Sequence, residues 1–418
     1  MKRKDIEITA PAGSWDSLTA AIQGKADSVY FGVEQLNMRA ASSGNFTVKE
    51  LPLVASYCRD HRVKACLALN VVVYDNETAD MKKIIDAAAS SGISSIIVSD
   101  QSAITYAFSK GMDVHLSTQL NISNTETLEF YSKWAGTAVL ARELSLDQIK
   151  YISSEIKRRN ILGPGGEPVR IELFAHGALC MAISGKCYLS LHEYNRSANR
   201  GECNQVCRRS YIARDSETGY ELEIDNKYIM SPKDLCTIGF LDRITEAGVT
   251  VLKIEGRARS PEYVRVVTSC YDEALKALEN GTYSHEKIEE WTARLSTVFN
   301  RGFWDGYYLG QKMGEWSNRY GSAATMTKRY IGKINNYYAK IGVAEIKLEN
   351  GDLSEGDEIL ITGPTTGAVN FRVTEIRDEQ LKATSRAARG TFCSVKTGFT
   401  LRRSDKVFLW EKRERYNE

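Results

Sequence analysis

Between Glu172 and Cys236 the chain gathers the residues best suited to chemistry. ELFAHGALCMAISGKCYLS, NRGECNQVCRRSY and MSPKDLC hold five of its nine cysteines. Cys180 and Cys187 stand seven residues apart, Cys203 and Cys207 four apart, and Cys236 follows alone after a polar excursion. The opening, MKRKDIEITAPAG, has no apolar segment of signal length. The expected setting is therefore a reducing cytoplasm, where clustered thiols stay unpaired. Thiolate is a soft ligand for zinc, copper(I) or iron–sulfur centres. The spacing departs from the paired short knuckles of zinc fingers and ribbons. Cysteines drawn from separated loops fit a cubane iron–sulfur cluster better. Zinc, and buried or redox-active thiols without metal, stay open at this point. Cys58, Cys66, Cys270 and Cys393 read as core thiols.

The same stretch is locally basic. From Lys186 to Arg214, six basic residues (Lys186, Arg196, Arg200, Arg208, Arg209, Arg214) face two acidic ones, with Tyr188, Tyr194 and Tyr211 interleaved. Arginines that fix phosphates and tyrosines that stack on unpaired bases point to RNA. A solvated loop or a small anionic ligand reads the same residues as well. The formal charge of the whole chain is only +2, so nucleic-acid contact would have to come from such a patch. The histidines form no H-E-x-x-H spacing, and no apolar run is long enough to span a membrane.

The elements that must position these groups alternate. Strand candidates are Ile6–Ala10, Ser28–Phe31, Lys64–Leu69, Ser94–Ser99, Val114–Thr118, Ala138–Ala141, Arg170–Ala175 and Val249–Ile254, with amphipathic helical patterns between them. Many strands are apolar on both faces, as crossover helices outside a parallel sheet require. Eight such units predict an α/β fold, a (β/α)8 TIM-like barrel with a cysteine-rich insertion; an open α/β sheet is the alternative. A barrel places chemistry at the C-terminal ends of its strands. Polar groups recur there: Asn70, Asp100, Gln119, Asn121 and Arg257 accompany Arg142, Glu143, Glu172, His176 and Glu255. The last five are the catalytic candidates. Glu172 and Glu255 sit in apolar strands, and a carboxylate pointing into a barrel needs a cationic partner. The expected division is residues 1–300 for the barrel, 301–327 for an aromatic linker, and 328–418 for a small C-terminal β-barrel of short strands joined by Gly, Asp and Pro turns.

The stretch E-L-F-A-H-G-A-L-C-M-A-I-S-G-K-C-Y-L-S at 172–190 resembles the signature of the U32 family, long labelled collagenase-like peptidases. ITAPAG at 8–13, SVYFG at 28–32, R-G-x-C-x-x-x-C-R at 200–208 and S-x-K-D-L-C at 231–236 also resemble that family. The resemblance covers roughly residues 5–330, and the tail is similar to the family's C-terminal domain. Its layout is closest to the bacterial prephenate-dependent tRNA uridine hydroxylases. The resemblance implies a cytoplasmic enzyme that makes 5-hydroxyuridine at the tRNA wobble position, with prephenate as hydroxyl donor and an unidentified electron donor. It also implies a [4Fe–4S] cluster held by Cys180, Cys187, Cys203 and Cys236, with Cys207 as spare. The family label itself implies proteolysis as the alternative, and another RNA or a small aromatic substrate is a further one. No G-x-S-x-G elbow and no zinc-protease motif supports the label.

Overall fold

The computed structural model describes residues 2–41, 44–183, 185–209, 211–224, 231–310, 315–317 and 321–413. Ser184, Ser210 and Met230 of the cysteine stretches, and 311–314 and 318–320 of the expected linker, lie outside them.

Eight parallel strands form the barrel: Glu7–Pro11, Ser28–Phe31, Lys64–Leu69, Ser95–Val98, Asp113–Leu116, Thr137–Val139, Arg170–Gly177 and Val251–Ile254. Each pairs with the next in chain order, and the eighth pairs with both the seventh and the first, which closes the sheet. Short β-branched runs form these strands because both of their faces are covered, by barrel filling inside and helices outside. The first, second and fourth are buried at every position. Ser14, Asp100, Asn124 and Ser145 cap the helices that follow them, each side chain accepting a backbone N–H of the first turn. A cap of this kind contributes about 1 kcal/mol. Asp100, read from sequence as a strand-end polar group, is occupied in this way; its second oxygen accepts from the Val73 amide at 3.1 Å.

Two features modify the ring at the site. The short strand Asp234–Cys236 runs antiparallel to the end of the seventh barrel strand, setting Cys236 opposite His176, and pairs on its other edge with Phe303–Trp304. The tail builds an eight-stranded antiparallel sheet with its own core, including Ile331, Ile346, Ile359 and Val407. It docks on the first barrel helix, Trp15–Gln23. Thr19 Oγ1 donates to the Pro364 carbonyl at 2.7 Å, and Gln23 Nε2 donates to that of Thr366 at 2.8 Å. Gly367 has φ +67°, and a Cβ there would stand 2.4 Å from Gln23 Oε1. Only glycine allows that approach. Among the described residues no helix is long and apolar enough to cross a membrane.

Candidate functional site

The barrel mouth opens into a cavity of about 210 Å³. Among the described residues, seven basic side chains line it against a single carboxylate, Glu255. Lys253, Arg257 and Arg259 come from the eighth strand and the loop after it, Arg142 follows the sixth strand, and Arg39 lies in the loop after the second. Arg208 and Arg301 reach in from the segments that cover the mouth.

Glu255 Oε1 accepts from Arg39 Nη2 at 2.6 Å, and the Tyr30 hydroxyl lies 3.2 Å from its Oε2 and 2.9 Å from the Ile254 carbonyl. Burial acts to raise the Glu255 carboxyl, but Arg39 and Arg142 overcome it and hold the group at about 2. Glu255 is therefore an anchor for cations at neutral pH rather than a proton donor. Burial also raises the Tyr30 hydroxyl, with Glu255 adding to the effect, so it stays protonated. Arg257 is pushed down to about 10 by burial, and burial lowers Arg208, Arg259 and Arg301 too. Arg301 keeps Asp234 at 3.3 Å, but Arg257 and Arg259 are desolvated with no carboxylate bonded to them among the described residues, which favours an anionic ligand beside them. Gly32 makes room for this arrangement. A Cβ there would lie 2.6 Å from Arg257 Nη1, which donates to Asn37 Oδ1 at 2.9 Å.

Glu172 lies one layer deeper, fully excluded from solvent. Its Oε1 accepts from Lys253 Nζ at 2.7 Å, and Oε2 is 3.6 Å from His115 Nδ1. His176 is enclosed by the rings of Tyr263, Tyr271 and Phe303, with centroids 6.1, 5.8 and 5.5 Å away. Burial, assisted by Arg259, holds it at about 3, a neutral imidazole whose Nδ1 has no hydrogen-bond partner. Burial pushes the facing Cys236 thiol up to about 12. The two are thus both neutral, the reverse of the thiolate–imidazolium pair that a Cys–His nucleophile needs. The Arg142 guanidinium lies 4.0 Å over the Phe174 ring, and Arg142 and Glu143 both line a second, adjoining cavity.

The cysteines fall differently from the expected set. Cys180, Cys187 and Cys203 line the mouth together with Cys207, whereas Cys236 is buried on its strand behind His176. The expected [4Fe–4S] site is overturned: among the described residues no group of three or more His, Cys, Asp or Glu is arranged to hold a metal ion. The residues present do not fit the cluster, and no chemistry is routed through one. Sequence order could not separate Cys207 from Cys236, because the Asp234–Cys236 strand turns back into the core. The thiols carry a direct test. Iodoacetamide on the native chain is expected to label Cys180 first and Cys187, Cys203 and Cys207 more slowly. Cys58, Cys66, Cys236, Cys270 and Cys393 should stay unlabelled until unfolding, being buried and held near 12 by that burial. Peptide mapping that finds Cys236 labelled as fast as Cys180 would contradict this placement.

The basic loop is also partly occupied. Arg200 pairs with Glu77 and stacks 3.9 Å over Tyr74, and Arg209 pairs with Glu193 at 2.8 Å. Sequence reading missed Arg39, Tyr30 and Lys253. Lys253 left a signal, a lone cation within the apolar strand VLKI. Arg39 left none, since it lies in an irregular loop.

A family model described as peptidase family U32 matches residues 13–318. A collagenase of Porphyromonas gingivalis strain W83 is 57% identical over 414 residues, covering 99% of this chain and 100% of that one. A second collagenase from that species is 52% identical, covering 87% of this chain and 100% of that one. The tRNA hydroxylation protein P1 of Bacillus subtilis is 30% identical, covering 90% of this chain and 88% of that one.

Proposed function

The chain belongs to peptidase family U32, and on that premise we propose that it is an RNA-hydroxylating enzyme that binds a small carboxylate-bearing ligand in its barrel mouth. In its finest form the reaction is conversion of the tRNA wobble uridine to 5-hydroxyuridine with prephenate as hydroxyl donor. One observation carries this reading: basic side chains crowd the cavity at the barrel mouth, and two of them, Arg257 and Arg259, have no carboxylate bonded to them among the described residues. A dicarboxylate supplies the missing negative charge, with Arg257 and Arg259 close enough in sequence to clamp it. Glu255 fixes Arg39, and the protonated Tyr30 hydroxyl offers a donor to a ligand oxygen. The likeness to a protein named for tRNA hydroxylation supports the RNA substrate.

Proteolysis is the second reading, and the names of the two more similar relatives back it more strongly than they back hydroxylation. Against it stands the chemistry of the site. The Cys236–His176 pair is neutral, so it lacks the thiolate that a cysteine peptidase's nucleophile needs. The two readings part in one experiment. Nucleoside analysis of tRNA from a strain lacking this gene, and any second copy of it, is expected to lack 5-hydroxyuridine and its derivatives. Re-expression should restore them. Unchanged nucleosides together with gene-dependent cleavage of collagen-derived peptides would establish the peptidase instead.

A further inference from the structure

A second cavity adjoins the mouth, and Arg142 and the Leu179–Ala182 segment line both. Its character is different: Trp304, Tyr307 and Trp316 supply flat apolar wall, with Asn121 and Glu143 as polar groups. The Trp304 and Tyr307 rings meet edge to face, with centroids 5.3 Å apart. Two donors there are left over. Trp304 is only 5% exposed, and neither its Nε1 nor Arg142 Nε has a hydrogen-bond partner. A buried donor left unpaired is costly, so a native chain that keeps two beside one cavity has a reason to. Asn121 adopts a left-handed backbone conformation, φ 54° and ψ 43°, directly after the turn that follows the fifth strand.

We infer that this aromatic compartment is a nucleobase subsite, which takes a uracil ring unstacked from a single-stranded loop and holds it next to the ligand in the cationic mouth. The inference rests on the hydroxylation reading and deepens it. Aromatic walls stack on any base, a sequence-tolerant contribution. Specificity comes from the edge. Uracil presents a carbonyl, an N–H and a second carbonyl in succession. Trp304 Nε1 and Arg142 Nε, both closed off in the empty cavity, can donate to the carbonyls once their side chains turn toward an entering base, and the Glu143 carboxylate can accept from the N–H. Cytosine has no N–H at the central position and would face Glu143 with a lone pair. A phenylalanine or proline side chain from a peptide would fill the space but leave both donors unpaired. Arg142, shared by the two cavities, positions base and anion relative to each other.

Binding of an anticodon-arm RNA hairpin, uridine or cytidine at one loop position, tests this with the full chain. Wild type is expected to favour the uridine hairpin. Tyr307→Ala should weaken binding about tenfold, and Trp304→Phe, which keeps a ring but removes the donor, several-fold. Glu143→Gln should erase the preference for uridine over cytidine. Circular dichroism and melting of each variant establish that it is folded, and Tyr307, at 36% exposure, is the substitution least able to disturb the core. Wild-type affinity in folded Tyr307→Ala and Trp304→Phe would overturn the subsite. So would competition by an aromatic-rich peptide that both variants abolish, which would assign the cavity to a peptide side chain. The outcomes separate the two claims. Hairpin binding lost in the variants, while tRNA from the deletion strain keeps its modification, retains the subsite and rejects the reaction. Modification lost in the deletion strain but fully restored by both variants rejects the subsite alone.

Discussion

Lys253→Met is expected to destabilise the folded chain by about 3–5 kcal/mol, the cost of leaving a buried charge without its partner. Lys253 Nζ is the only hydrogen-bond donor to Glu172 Oε1 among the described residues, and Glu172 has no access to water. Methionine fills nearly the same volume, so the loss measures charge rather than packing. Urea unfolding reads it directly. The double variant Lys253→Met/Glu172→Leu should recover most of the loss, because apolar replacement of a buried pair is often neutral or stabilising. A single variant as stable as the wild type would mean that Glu172 is protonated, solvated or balanced by His115 alone, and that the Lys253 pair does not support the mouth.

The same cluster sets a pH profile. Burial acts to lower His115, but Asp113 and Glu172 raise it from 6.5 to about 9. Its contribution is complete below pH 6.5 and is lost as pH rises through about 9. Burial acts to raise Glu172, but Lys253 and His115 hold it at about 2, so its contribution is complete above pH 4.5 and is lost as pH falls through 2. His176, held down at about 3 by burial and Arg259, adds to the acid limb, since the unfolded chain takes up that proton from pH 6.5 downward. The melting temperature should therefore peak near pH 6.5 and fall on both sides. His115→Gln should flatten the alkaline limb and also soften the Glu172 part of the acid limb, because His115 is one of the two cations that hold that carboxyl down.

If the proposed function holds, Arg257→Met should weaken binding of prephenate about 30-fold or more, with a matching loss of tRNA hydroxylation. Truncating one partner of a buried charged contact costs about 2–5 kcal/mol, and each 1.4 kcal/mol is about tenfold. Arg257 is buried against Tyr30, with its guanidinium carbon 5.8 Å from that ring, and its only hydrogen-bond partner among the described residues is the neutral Asn37. No carboxylate among the described residues is bonded to it, so a ligand carboxylate is the natural counter-charge. Isothermal titration of the two proteins, with melting curves to exclude unfolding, reads the effect. Equal affinities would place the anion elsewhere along the mouth.

The amino-acid sequence by itself determined the architecture. Period and composition located all eight strands to within two residues at either end. These are local properties: β-branched runs, capping residues and breakers act within a few positions of themselves. The sequence also set polar groups at the strand ends and marked Glu172 and Glu255 as carboxylates in need of cations. Only the tertiary structure decided which cations answered. Lys253 reaches Glu172 from 81 positions away, and Arg39 reaches Glu255 across 216; barrel closure brings those pairs together, and no local pattern encodes it. It likewise set Cys236 behind His176 while Cys207 joined the thiols at the mouth. Spacing along the chain counts residues, whereas a site is a set of directions. The antiparallel return of one three-residue strand turns Cys236 into the core, and seven cations face one carboxylate only because separate loops converge on the same mouth.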